Sequence, residues 1–219
     1  MFSPRRLAIA LCLAIMGASA VAVASDWEEV GTTSGVTVHT KDVPDSDASS
    51  FRGERTANVH IGDLIAVLTN PDQRPNWVSD YGGHETLERS DTHEIYWLRI
   101  DLSWPATDRD FVFRADYSFD EENRVFTAEL ESVQDSRKGE DDCCVRGTGT
   151  TTYTFTAIPG QDMTRVEVES TIDPQGRLPS RIVRRTQREW PVNTLNALVN
   201  QASGDVQTDS RVQDWHSTD

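Results

Sequence analysis

The chain has 219 residues, enough for one domain with its own core and short appendages. It carries 36 acidic against 21 basic side chains, a net charge of −15, which repels nucleic acid and anionic membrane surfaces. The acids are spread along the whole chain, so the charge reads as solubility rather than as an acidic binding face.

Residues 1–24 have the form of a secretory signal peptide. Arg5 and Arg6 precede an apolar run, and small residues end in Ala22-Val23-Ala24. Cleavage before Ser25 is expected, giving an exported protein, periplasmic or secreted. The competing reading is a retained anchor. The uncharged stretch 7–23 falls short of the roughly 20 residues a spanning helix needs. Loss of the leader leaves 19 basic side chains against 36 acidic ones, and only Cys143 and Cys144 as thiols. Two cysteines cannot build a disulfide framework. Neighbouring Cα atoms lie about 3.8 Å apart, short of the roughly 4.4 Å at which unstrained disulfides begin. The pair therefore reads as two small residues at a strand start, with a redox or metal-binding pair as the functional alternative.

Residues 26–30 suggest a short helix or the approach to a first strand. Ser34-Gly35 is a turn, and 36–40 alternates like a strand. Residues 41–50 are a polar loop. The strand expected over 51–60 contains Gly53, which signals a bulge or a close approach. Residues 61–68 form a short amphipathic helix, with Asp63 as cap or first-turn acid, ended by Asn70-Pro71. A further short turn is expected at 72–77, and a break at Gly82-Gly83. Strands follow at 85–90, 94–102, 111–119, 124–133, 145–156 and 163–172. In 94–102, Tyr96, Leu98, Ile100 and Leu102 share one face, and Ile95, Trp97, Arg99 and Asp101 the other. These segments predict an all-antiparallel sheet of about eight or nine strands, twisted enough to wrap.

The turn at Asp173-Pro174 and Gly176 leads into a long helix. Ile182, Val183, Thr186 and Trp190 recur at helical spacing, and Leu195 and Leu198 continue the run. Pro191 lies inside it and is a candidate hinge. Arg181, Arg184, Arg185 and Arg188 fill the other side, as a solvated face or as a contact for anionic head groups. A lone amphipathic helix after a long sheet must bury its stripe on the concave face. A cavity between the two is a place for a small apolar ligand. The fold class is therefore α+β, with the domain over 25–202. The polar stretch 203–219 shows no periodicity and is expected to be disordered.

Several landmarks together resemble one family: Trp27 before the first strand, Trp77 closing NPDQRPNW, SWPATDRDFV with Trp104 to Val112 after its first serine, Val145-Arg146-Gly147 entering a strand, and DPQGRLP before the proline-containing helix. In this order they look like the START, or STAR-related lipid transfer, domain. The resemblance covers roughly residues 27–202. It implies a helix-grip fold, a curved antiparallel sheet around the C-terminal helix, with a tunnel for one lipid such as a sterol, phospholipid or fatty acyl chain. It further implies gating by the loop at 103–108, where Trp104 and Pro105 stand, and by the helix with Pro191. Some members hold a buried acid–arginine pair in the tunnel. Here Ala115 falls where the arginine is looked for.

The residues expected to line the cavity are Trp77, Tyr96, Leu98, Ile100, Phe111, Phe113, Ile182, Thr186 and Trp190. The expected function is non-catalytic binding and transfer of one apolar ligand by a monomer in transient contact with membranes, without cofactor, metal or nucleic acid. The five histidines show no metal spacing, and there is neither a nucleophile elbow nor a phosphate loop. One alternative is a polyketide-cyclase-like enzyme, which would need Arg99, Asp101 or His93 to face inward as acid or base. The other is an interaction module with a vestigial cavity.

Overall fold

The computed structural model describes residues 27–43, 49–139, 143–178 and 180–218, with Ser49 and residues 180–188 described by backbone alone. Residues 1–24, expected to be a leader, lie outside the described residues. Strands β1 (Glu28–Thr33) and β2 (Val36–Asp42) form a hairpin. Its turn residues Ser34 and Gly35 both adopt positive φ, 50° and 78°. That is the twist-compatible turn geometry of a two-residue hairpin. β3 (Ser49–Ala57) follows, then α1 (Ile61–Thr69), a 3-10 turn at Pro71–Gln73 and the one-turn helix α2 (Arg74–Trp77). Next come β4 (Tyr81–Arg89), β5 (His93–Ile100), β6 (Asp108–Asp120) and β7 (Val125–Ser132). The chain continues through β8 (Cys144–Arg146), β9 (Thr148–Ile158), β10 (Met163–Asp173) and α3 (Ser180–Ala202).

These strands form one sheet in the order β1-β2-β3-β10-β9-β7-β6-β5-β4, with β8 added alongside β6. The expectation of pure antiparallel pairing needs one correction, because β8 runs parallel to β6. β7 pairs with β6 only from Phe113 to Asp120, leaving the start of β6 uncovered on that side. β8 takes up Asp108–Asp110 there. Gly82-Gly83 does not break the chain either. It lies inside β4, at an irregularity in the pairing with β5 between Tyr81 and Gly83.

α3 lies against β2, β3 and β10, and α1 packs on α3 and β9. Gly53 marks the closest approach of helix to sheet, as its residue type suggested. A Cβ there would meet Pro191 Cβ at 2.8 Å and Leu195 Cδ1 at 3.4 Å. The β2–β3 register runs through Gly53 without a shift, so a close approach rather than a bulge explains the glycine. The main core joins α1 (Ile61, Leu64, Ile65), α3 (Leu195, Leu198) and the sheet (Phe126, Phe155, Val166), all essentially inaccessible. A second cluster, Tyr96, Leu98, Phe111, Phe113 and Ala115, covers the β5–β6 half of the concave face.

The polar C-terminal stretch is not disordered. Val212 and Trp215 are buried in the main core, and Trp215 meets the edge of Phe119 at 6.4 Å. His216 accepts a hydrogen bond from Ile61 N at 3.0 Å, while His60 Nδ1 accepts one from Gly62 N. Two imidazoles therefore satisfy the free N–H groups at the start of α1, and Asp63 is a first-turn acid that accepts from Thr208 instead of capping. Two isolated apolar anchors hold this segment, and such anchors leave no periodic signature.

Candidate functional site

Between the β5–β6 half of the sheet and α3 lies a cavity of about 210 Å³, lined mainly by apolar side chains. Seven of the nine side chains expected at a cavity line it. β5 supplies Tyr96, Leu98 and Ile100, and β6 supplies Phe111 and Phe113 at alternate positions of one face. Trp77 enters from α2 and Trp190 from α3. The Ile182 and Thr186 side chains lie outside the described residues. Phe111 and Phe113 stack at 5.3 Å, and Trp190 packs against Phe51 at 5.2 Å.

A buried acid–arginine pair is present, where the sequence reading found none. Arg74 Nη2 donates to Glu94 Oε2 at 2.6 Å and Nη1 to Oε1 at 3.2 Å. Arg74 is 3% exposed and Glu94 0%. The arginine comes from α2, not from a strand. Ala115 lies directly opposite Glu94 in the β5–β6 register, and its methyl leaves the carboxylate room. Thr86 adds a hydrogen bond to Glu94 at 2.9 Å and Tyr117 one at 3.4 Å. The Arg74 guanidinium stacks 3.9 Å above the Tyr96 ring. Burial pushes the Tyr96 phenol up to about 12, with Arg74 pulling against it. Burial also drives the Tyr153 phenol upward, so both hydroxyls are neutral at any physiological pH. Glu94 stands in phase with Tyr96 and Leu98, which was the available signal. Arg74, in a helix of four residues, had none.

At the other end the motif residues interlock. Arg109, buried and lining the cavity, donates through Nε to Pro174 O at 2.6 Å and through Nη2 to Gln175 O at 3.1 Å. It thereby ties β6 to the turn before α3. Its neighbour Asp110 points to the opposite face and accepts from Trp97 Nε1 and from Arg146 Nη2, each at 2.8 Å. Asp108 accepts from Leu102 N at 2.8 Å and closes the loop that carries Trp104 and Pro105. A Cβ on Gly147 would fall 2.4 Å from the Phe111 ring, so the glycine of Val145-Arg146-Gly147 is what lets that ring lie flat. Trp104, expected at a gate, is 92% exposed, beside a loop whose flanking residues Leu102 and Arg109 line the cavity. Pro191, the other gate candidate, is buried against Gly53. Cys143 and Cys144 are joined by a disulfide, contrary to the reading of two unbonded small residues.

The acid–base groups that a cyclase-like reaction would need stand outside. Arg99 and Asp101 pair with each other at 2.9 Å on the solvent face, and His93 contacts Glu88 there at 3.1 Å. One cluster with metal-ligand chemistry exists among the described residues. His60, Asp162 and His216 each bring a ligand atom within 4.8 Å of the others. Both ring nitrogens of each histidine are already engaged: His60 with Gly62 N and Gln213 O, His216 with Ile61 N and Gln161 O. The cluster acts as a helix cap.

No family model matches the sequence. An uncharacterized protein of Pseudomonas aeruginosa is 23% identical over 191 residues, 86% of this chain and 92% of that protein. Among solved structures, the STAR-related lipid transfer protein of Xanthomonas axonopodis is 26% identical, with a TM-score of 0.72 over 82% of this chain and all of that one. The human StAR-related lipid transfer protein 5 is 16% identical, with a TM-score of 0.74 over 82% of this chain and 88% of that one, a likeness of fold alone. Ten strands and a C-terminal helix, with the motifs meeting around one cavity, give the chain the helix-grip fold of the STAR-related lipid transfer structures.

Proposed function

We propose that this protein is a monomeric, non-catalytic lipid carrier that encloses one apolar ligand between the sheet and α3, and that it works after export from the cytoplasm. The observation that carries this reading is the apolar cavity itself, in a fold shared with lipid transfer proteins. Its drive is burial of hydrocarbon, about 0.8 kcal/mol per methylene. A volume of about 210 Å³ is below the roughly 300–1,000 Å³ typical of small-molecule sites. A sterol or long acyl chain therefore enters by widening the cavity, and the loop with Trp104 and the N-terminal half of α3 border the space to be opened. The bare Trp104 side chain suits a brief contact with a membrane interface, where indole rings partition well. The signal-peptide-like pattern of residues 1–24 is what supports export.

Native mass spectrometry of the exported protein, followed by organic extraction, tests the reading. The expected result is a lipid bound at one per chain. A clean unliganded mass, unchanged after exposure to sterols, fatty acids and phospholipids, refutes it.

A further inference from the structure

Among the described residues, two fully buried side-chain polar atoms of the cavity wall have no hydrogen-bond partner in the protein. They are Trp77 Nε1, on a side chain 7% exposed, and Thr194 Oγ1, on one 1% exposed. Buried polar groups are rarely left unpaired, because each costs the desolvation of a donor or acceptor. Thr194 has an obvious way to avoid that cost. A helical threonine can turn its hydroxyl back to the carbonyl four residues earlier. Thr69 does so to Ile65 O at 2.8 Å, and Ser203, in the turn that follows α3, does so to Val199 O at 2.7 Å. Thr194 does not.

The two groups stand on helices that pack together. Gln73, just before α2, receives a hydrogen bond from Gln201 of α3 at 2.7 Å. Trp77 lies one turn further along α2, and Thr194 two turns back along α3 on the same face as Gln201. The nearby charge is already neutralised, since Arg74 is held bidentately by Glu94. A second carboxylate at this end of the cavity would face Glu94, while the other arginine of the wall, Arg109, stands at the far end with its donors held by the carbonyls of Thr107, Pro174 and Gln175.

We infer that Trp77 and Thr194 form a polar subsite for one uncharged oxygen of the ligand, so that the carried class is a neutral lipid ending in a hydroxyl or carbonyl, not a free fatty acid. This rests on the carrier reading and narrows it. Indole can only donate, whereas the threonine hydroxyl donates or accepts. A ligand hydroxyl accepts from Trp77 and donates to Thr194, and a carbonyl accepts from both through its two lone pairs.

The test uses the delipidated full chain, loaded with Nile red and competed with ten-carbon probes: 1-decanol, methyl nonanoate, decane and, at pH 8, decanoate. The alcohol and the ester are expected to compete better than decane and decanoate. Thr194→Val, which exchanges the hydroxyl for a methyl group, is expected to weaken both about tenfold while leaving decane unchanged. It is also expected to raise the melting temperature of the ligand-free protein, because an unpaired buried hydroxyl is gone. A purely structural threonine would not produce these opposite signs. Trp77→Phe is expected to reduce the preference for alcohol over decane in the same way. Equal weakening of decane, no weakening of decanol, or decanoate binding as tightly as decanol would overturn the subsite and leave the carrier standing. Failure of every probe to bind would overturn both.

Discussion

Removing one half of the Arg74–Glu94 pair is expected to be far more damaging than removing both halves. Arg74→Met keeps most of the side-chain volume and deletes the charge. Glu94, 0% exposed, then remains as a carboxylate with only the Thr86 and Tyr117 hydroxyls as donors. An uncompensated buried charge of this kind costs about 3–5 kcal/mol. That is a large share of the roughly 5–15 kcal/mol by which a domain is stable. In Arg74→Met/Glu94→Leu the stranded charge is gone. The remaining losses are the Thr86 and Tyr117 hydrogen bonds, about 1 kcal/mol each, and the Leu side chain offsets part of that by apolar burial. The double variant should therefore regain at least half of what the single variant loses. Urea unfolding with matched slopes gives both numbers. A single variant that loses less than about 1 kcal/mol, or a double variant as unstable as the single, would refute the assignment of this pair as a mutually dependent buried unit.

Other perturbations follow from the same structure. Gly53→Ala drives a methyl group to 2.8 Å from Pro191 and should destabilise by about 1–3 kcal/mol, seen as a fall in melting temperature; an unchanged value would mean that α3 shifts freely on the sheet. Trp215→Ala should cost about 3–5 kcal/mol, as for any large aromatic removed from a core, whereas a disordered tail would lose nothing in the same melt. In an alkaline absorbance titration the Tyr96 phenol should ionise near 12, not 10. Because its folded value is raised, the stability contributed by the neutral phenol is complete below pH 10 and is lost as the pH climbs through 12. Ionisation of all four tyrosines together near pH 10 in a still-folded protein would contradict this.

The cavity wall was legible because it rests on strand periodicity. Tyr96, Leu98 and Ile100 alternate with polar neighbours, and that alternation states which face is buried before any fold is known. Glu94 belongs to the same alternation, but a carboxylate near a strand start reads as solvated until its cation is seen. That cation comes from a helix too short to show a period. The motif residues Arg109, Asp110, Arg146 and Gly147 gave a resemblance without a reason. Their reason is mutual contact between segments far apart in sequence, which a single chain read in order does not display. The tail was missed for a related cause, since Val212 and Trp215 are single anchors whose partners lie on α1 and β6.

The position of β10 between β3 and β9 bears on the order in which the chain can assemble. β3 has β2 as one neighbour, but its other edge stays open until residues 164–172 arrive, more than 100 positions later. α1 waits longer, because Ile61 N is satisfied only by His216, 155 residues downstream. Contacts of such span make folding slow, and they leave the early half of the sheet as an unpaired edge in the meantime. The N-terminal strands therefore cannot close into a finished sheet before β10 and the segment that carries His216 are in place.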